Sequence, residues 1–191
     1  MRRLFYILMI LLLNGCIPCD TVIIENGPLP DSALRFVPYQ NGKIYKFRHS
    51  KGLVINFDTY RETREEWTHC AECCSYEYHY EVNSTRLTPN YPIFDFYFEI
   101  SNRDTSYFEC YTTIGKYGFY IPTADFQLDY FEKVDSLIID SVTYKDVFKL
   151  NSDYGSYYDK DSIYADSLYY NYEYGILKIL MSNGESYEIV K

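Results

Sequence analysis

The residues best suited to chemistry lie in one short stretch, His69-Cys70-Ala71-Glu72-Cys73-Cys74, with His79 and Cys110 further along the chain. Cys70 and Cys73 have the C-x₂-C spacing that sets two thiolates on one metal ion or in one redox-active ring. A tetrahedral zinc site needs a second pair of ligands, and His69, His79 and Cys110 are the candidates. The competing use of the same residues is structural, because neighbouring thiols pair as disulfides in an oxidising compartment. A second cluster is aromatic: Tyr157, Tyr158, Tyr164, Tyr169, Tyr170, Tyr172 and Tyr174 crowd one segment. Tyrosine gives large contact area with a polar handle, so this segment is a candidate binding surface, with ordinary strand and loop packing as its alternative. Asp153, Asp159, Asp161 and Asp166 could ligate calcium. The run from Asp159 lacks the glycine an EF-hand needs at its sixth position, so a solvated acidic loop is expected. No H-E-x-x-H, G-x-S-x-G, Walker or G-x-G-x-x-G pattern occurs, and neither a cofactor, a metal nor a catalytic set is expected.

The compartment follows from the first residues. Arg2 and Arg3 precede an unbroken apolar run, Leu4–Leu13. As a helix this run spans about 15 Å, half a bilayer core, which suits the apolar region of an export signal rather than a permanent span. It ends in Leu13-Asn14-Gly15-Cys16. This resembles the lipobox of bacterial lipoproteins. The resemblance implies that Cys16 carries a diacylglyceryl thioether, that signal peptidase II cuts after Gly15, and that acyl chains on Cys16 hold the protein to a membrane. Two acyl chains give stable anchoring where one is marginal. Ile17 in the next position, where aspartate would retain the protein in the inner membrane, implies the outer membrane of a Gram-negative cell. The expected organisation is a signal peptide at 1–15, a lipidated Cys and proline-containing tether at 16–40, and a domain at 41–191. Two of the 18 Lys and Arg leave with the signal and none of the 27 Asp and Glu, so the net charge moves from −9 to −11.

Export favours disulfides over metal for the remaining cysteines. Cys74 precedes Tyr76, Tyr78 and Tyr80 on one strand face, and Cys110 shares a face with Phe108. If both faces are core, Cys74 pairs with Cys110 across strands, Cys70 pairs with Cys73, and Cys19 stays unpaired. The acidic balance and the lack of basic clusters exclude nucleic acid as a partner.

The elements that must position these groups are short strands. Lys43–His49 and Leu53–Asp58 flank a Gly52 turn, and Tyr76, Tyr78, Tyr80 and Val82 alternate with Glu77, His79 and Glu81. Phe94, Phe96, Phe98 and Ile100 repeat the alternation. Thr59–Thr68 is charged and lacks an apolar stripe, so it reads as a loop or short helix. Further strands are expected at Tyr117–Ile121, Phe126–Phe131, Ser136–Val142, Tyr144–Leu150, Leu168–Tyr172, Gly175–Met181 and Glu185–Val190. Asn183-Gly184 is expected as a two-residue type I′ turn. The fold class is therefore all-β, a single antiparallel β-domain, either sandwich or open barrel. The lipobox, the tyrosine-rich strands and the closing hairpin are together similar to outer-membrane lipoproteins of Gram-negative bacteria that carry no assigned active site.

The function expected is non-catalytic binding or scaffolding, with the membrane and envelope proteins as partners. One alternative is a carrier of an apolar ligand, which requires a cup lined by Tyr78, Phe94, Phe96 and Phe98. The other is an enzyme, which requires His69 or His79 to meet a carboxylate in a cleft.

Overall fold

The computed structural model describes residues 22–69, 76–104, 106–128, 131–152 and 163–191. The described residues are all-β, with 61% in strands and 5% in helices. The N-terminal half contains β1 (Val22–Glu25), α1 (Asp31–Leu34), β2 (Ile44–His49), β3 (Val54–His69), β4 (Tyr76–Pro89), β5 (Phe96–Ser101), β6 (Glu109–Ile114) and β7 (Tyr117–Tyr120). The C-terminal half contains α2 (Asp125–Leu128), β8 (Glu132–Ile139), β9 (Val142–Asn151), β10 (Ala165–Asn171), β11 (Gly175–Met181) and β12 (Ser186–Val190). One sheet runs β7-β6-β5-β4-β3-β2-β12-β11-β10-β9-β8, with antiparallel neighbours. It curls into a half-barrel, so the architecture is the open-barrel form and not two packed sheets. The last strand, β12, lies between β2 and β11 and joins the two halves through backbone hydrogen bonds. β1 stands off this path and pairs in parallel with the start of β4.

The inward face is packed ring against ring. Phe57 stacks on Phe96 at 4.6 Å, and Phe47 meets both edge-on at 5.4 and 5.2 Å. The hollow of the half-barrel is filled by the segment that follows β1. Leu29, Ala33, Phe36, Val37 and Tyr39 are all buried. Within the stretch expected as tether, Leu29 to Tyr39 is thus an integral part of the core, because these five apolar side chains recoup the ordering of their backbone only by leaving water. Tyr39 packs on Tyr45 and Phe98 at 4.8 and 4.9 Å, and its hydroxyl accepts the Ile176 backbone N–H at 2.7 Å. The Tyr170 hydroxyl in turn donates to the Phe36 carbonyl. Arg61 donates to the Val37 and Tyr39 carbonyls at 3.4 and 3.2 Å and to Asn83 Oδ1 at 2.6 Å. Gly175 makes the approach feasible: its φ is +78°, and a Cβ there would lie 2.4 Å from the Tyr39 hydroxyl.

Three local expectations are corrected. Residues 59–68 are neither helix nor loop but the continuation of β3, since every one of them pairs with β4. β-branched Thr59, Thr63 and Thr68 suit that geometry, and the charges are carried on a ribbon whose far end lies beyond the core. Phe126–Phe131 does not begin as a strand. Residues 125–128 form α2, where Gln127 reaches back to accept the Thr123 and Ala124 N–H groups at 2.7 and 3.2 Å. The β11–β12 turn is not type I′. Only Gly184 has positive φ there (83°), which fits a longer loop closed by a left-handed glycine. The pair with two positive φ values is Asp140-Ser141 (50° and 65°), between β8 and β9.

The Tyr39→Phe variant keeps the ring and leaves the buried Ile176 N–H without an acceptor. It is expected to lower unfolding free energy by about 1–3 kcal/mol, read from urea denaturation with an unchanged m-value.

Candidate functional site

The register of β3 on β4 is unbroken from Phe57 opposite Pro89 to His69 opposite Glu77. Period-two alternation therefore carries the inward face outward along the ribbon. Arg61, Thr63, Glu65 and Trp67 on β3 stand opposite Thr85, Asn83, Glu81 and His79 on β4, all on that face. β5 pairs with β4 only over 82–87, and β1 occupies the same edge over 76–79. The link between them is polar, and all of its Asn26 and Asn102 side-chain groups but the buried Asn26 Oδ1 are paired. The Asn26 N–H donates to the His79 carbonyl at 3.0 Å, and Asn26 Nδ2 donates to the Asn102 and Arg103 carbonyls at 2.8 Å each. Asn102 returns a bond to the Gly27 carbonyl at 2.8 Å and accepts the Glu81 N–H at 2.9 Å.

His79 sits at the centre. Its Nδ1 is 3.0 Å from a Glu25 carboxylate oxygen and its Nε2 is 3.1 Å from Glu77. A neutral imidazole has one N–H, and ionised carboxylates only accept, so both contacts together call for the imidazolium. The hydrogen bond to Glu77, aided by the charge of Glu25, raises the His79 pKa. Trp67 lies edge-on to this ring at 5.6 Å.

Around His79 lies a groove of about 470 Å³, lined by Glu25, Pro28, Glu65, Trp67, His79 and Glu81 among others. Its size falls within the range of small-ligand sites, about 300–1,000 Å³. Glu65 and Glu81 are directly opposed across the two strands. Like charges in that position destabilise a sheet. Among the described residues neither carboxylate has an ion-pair partner. An exposed indole beside uncompensated carboxylates is chemistry suited to a cation. The condition set for an enzyme, His79 meeting a carboxylate in a cleft, is met by this geometry, although both ring nitrogens are engaged by carboxylates.

The outward face of the same ribbon carries a network that is closed on itself. Arg64 pairs with Glu66 and Glu99 at 2.7 and 3.0 Å, and the Tyr97 hydroxyl donates to Glu99 at 2.6 Å. Near the β11–β12 turn, Glu185 bridges His49 at 3.4 Å and Lys51 at 2.5 Å, and the hydrogen bond from Lys51 holds its carboxyl at about 2.

Several residues named from sequence lie outside the described residues: Cys16, Cys70, Cys73, Cys74, Tyr157 and Tyr158. Cys110 is described, and its thiol is free and buried, with its pKa pushed up by burial. It stands opposite Ile100 on the inward face of β6. Tyr80 faces outward, where its hydroxyl reaches Glu66 at 3.4 Å. Tyr80 and Cys110 thus lie on opposite faces of the sheet, and the expected Cys74–Cys110 bond falls on a residue outside the described ones. Tyr170, expected on a binding surface, is wholly buried, and Tyr164 and Tyr169 are half-buried on the sheet. Tyr164 packs on Tyr117 at 5.0 Å. The expected cup is also not assembled. Phe96 and Phe98 are wholly buried among other rings, whereas Tyr78 lies on the outward face.

The residues that sequence reasoning missed are Trp67, Glu65, Glu81 and Glu25. Their signal was the alternation Glu65-x-Trp67 against His79-x-Glu81, legible only once residues 59–69 are read as a strand. No family model, curated protein or solved structure matches the chain.

The His79 bridge makes docking of β1 pH-dependent. A raised folded pKa means that the stabilisation is fully present below the ordinary imidazole value, about 6.5, and is lost as pH rises through the raised value. Hydrogen-exchange protection factors of the β1 amides that bond to β4 should fall over that range, while those of β11 stay constant. In His79→Gln the β1 protection should be lower and flat with pH. A wild-type profile without a step would remove the bridge.

Proposed function

We propose that this chain is a lipid-anchored protein of the cell envelope, held at the outer membrane by acyl chains on Cys16. Its β-domain binds or scaffolds and does not catalyse. The observation that carries the binding assignment is the groove beside His79, where exposed Trp67 lies next to the opposed carboxylates of Glu65 and Glu81. The ligand group it suits is a cation, which gains from the indole face and relieves the like-charge pair. The packed interior argues against carriage of an apolar molecule inside the barrel.

Two experiments test this reading. Cys16→Ala should abolish palmitate labelling and move the protein from the membrane to the soluble fraction. Unchanged fractionation would refute the anchor. For the groove, a small quaternary ammonium ion should perturb Trp67 emission in wild type and lose that effect in the Glu65→Gln/Glu81→Gln double variant. The unfolding midpoint of that variant should be unchanged or higher, because a repulsion has been removed. An equal response in the double variant places binding elsewhere.

A further inference from the structure

The end of the β1–β4–β3 ribbon is unlike the rest of the acidic surface. Val22 pairs with Tyr76 at its limit, Ile23 lies beside them, and Trp67 is set back along β3. These four side chains are 51%, 48%, 54% and 68% exposed, in the order Val22, Tyr76, Ile23 and Trp67. Val22 and Tyr76 lie on one face of the ribbon end and Ile23 and Trp67 on the other, so both faces of it present apolar or aromatic surface that the described residues leave largely uncovered. The chain that enters this tip comes directly from Cys16. Six residue steps separate Cys16 from Val22, and even fully extended they reach at most about 22 Å. With the lead-in from Leu29 to Tyr39 locked into the core, no slack is available further along.

We infer that this tip docks on the leaflet that holds the acyl chains, and that its partner is a phospholipid surface bearing ammonium headgroups. The inference rests on the lipidation of Cys16 proposed above and names the cation that the groove takes. Three features select that partner. The short span keeps the tip within reach of the headgroups at every moment, which raises its effective concentration there. Trp and Tyr sit favourably at a membrane interface, where an apolar body meets a polar layer. Glu65 and Glu81, which have no ion-pair partner among the described residues, stand behind the tip in the groove with Trp67, so ammonium groups are attracted there and an anionic surface is repelled. Those carboxylates also keep the seat shallow, at headgroup depth.

Trp67 is the single tryptophan of the chain and reports its own surroundings. The test uses the lipidated full-length protein, reconstituted in vesicles of phosphatidylcholine with brominated acyl chains and in vesicles containing half phosphatidylglycerol, likewise brominated. Trp67 emission is expected to shift to the blue and to be quenched in phosphatidylcholine, with less quenching in the anionic vesicles. The V22S/I23S variant, altered only at exposed positions, should lose most of the quenching while still floating with the vesicles. Protein that floats with the vesicles but keeps water-like, unquenched Trp67 emission overturns the docking and leaves the anchor standing, as expected if the groove instead faces a basic partner protein. Protein that fails to float removes the anchor and the docking together. Equal or stronger quenching in the anionic vesicles overturns the choice of headgroup.

Discussion

The structure depends on the seating of one segment, Leu29–Tyr39, in the hollow of the half-barrel. A curled open sheet has an apolar inward face that needs a cover, and here the cover comes from the N-terminal side of the same chain. Tyr39 is its central contact. Its ring reaches β2 and β5, while its hydroxyl takes up a backbone N–H of β11. Tyr170 answers from β10 with a bond to Phe36. Both hydroxyls are buried, and burial pushes both pKa values far up, so they act as neutral hydrogen-bonding groups throughout the physiological range. The two halves of the sheet, already joined by β12, are thus tied a second time across the interior.

The same seating determines what the distal ribbon can do. With the lead-in fixed, Gly27 and Pro28 form one wall of the groove and β1 is delivered to the free edge of β4. There the His79 imidazolium compensates Glu25 and Glu77, whereas Glu65 and Glu81 are left facing each other. The charge imbalance is local and sits beside an exposed indole. A domain with an ordinary packed core therefore has one region in which stability is given up to chemistry, which is where a binding surface is expected.

Much of the sheet could be read from residue order because its strands alternate cleanly. Phe96, Phe98 and Ile100 on one face, and the hairpin of Lys43–His49 with Leu53–Asp58, follow from period-two patterning and the Gly52 turn, the observed strands each starting one residue later. The alternation of Tyr76, Tyr78 and Tyr80 with Glu77 and His79 was equally legible, but which face turned inward was not. Tyrosine is apolar enough to suggest the core, yet the inward face of β4 at that level carries Glu77, His79 and Glu81. Residues 59–69 misled because a ribbon that passes beyond the core keeps strand geometry without an apolar face. The lead-in misled in the opposite way: Pro28, Pro30 and Pro38 mark an irregular path, and an irregular path can still be buried when its polar backbone finds partners such as Arg61. The site itself was hidden behind the first of these misreadings, since Trp67 has meaning only opposite His79.

The claim on which all of this turns is that the lead-in belongs to the cooperative core. Arg35 offers a direct test, as a tryptic site in the middle of that segment, between half-buried Leu34 and buried Phe36. Cleavage after Arg35 should be measured as a function of urea beside global unfolding. The account predicts that the native protein resists and that cleavage rises only with the fraction unfolded. Rapid cleavage after Arg35 in the absence of urea, leaving residues 36–191 folded, would contradict it.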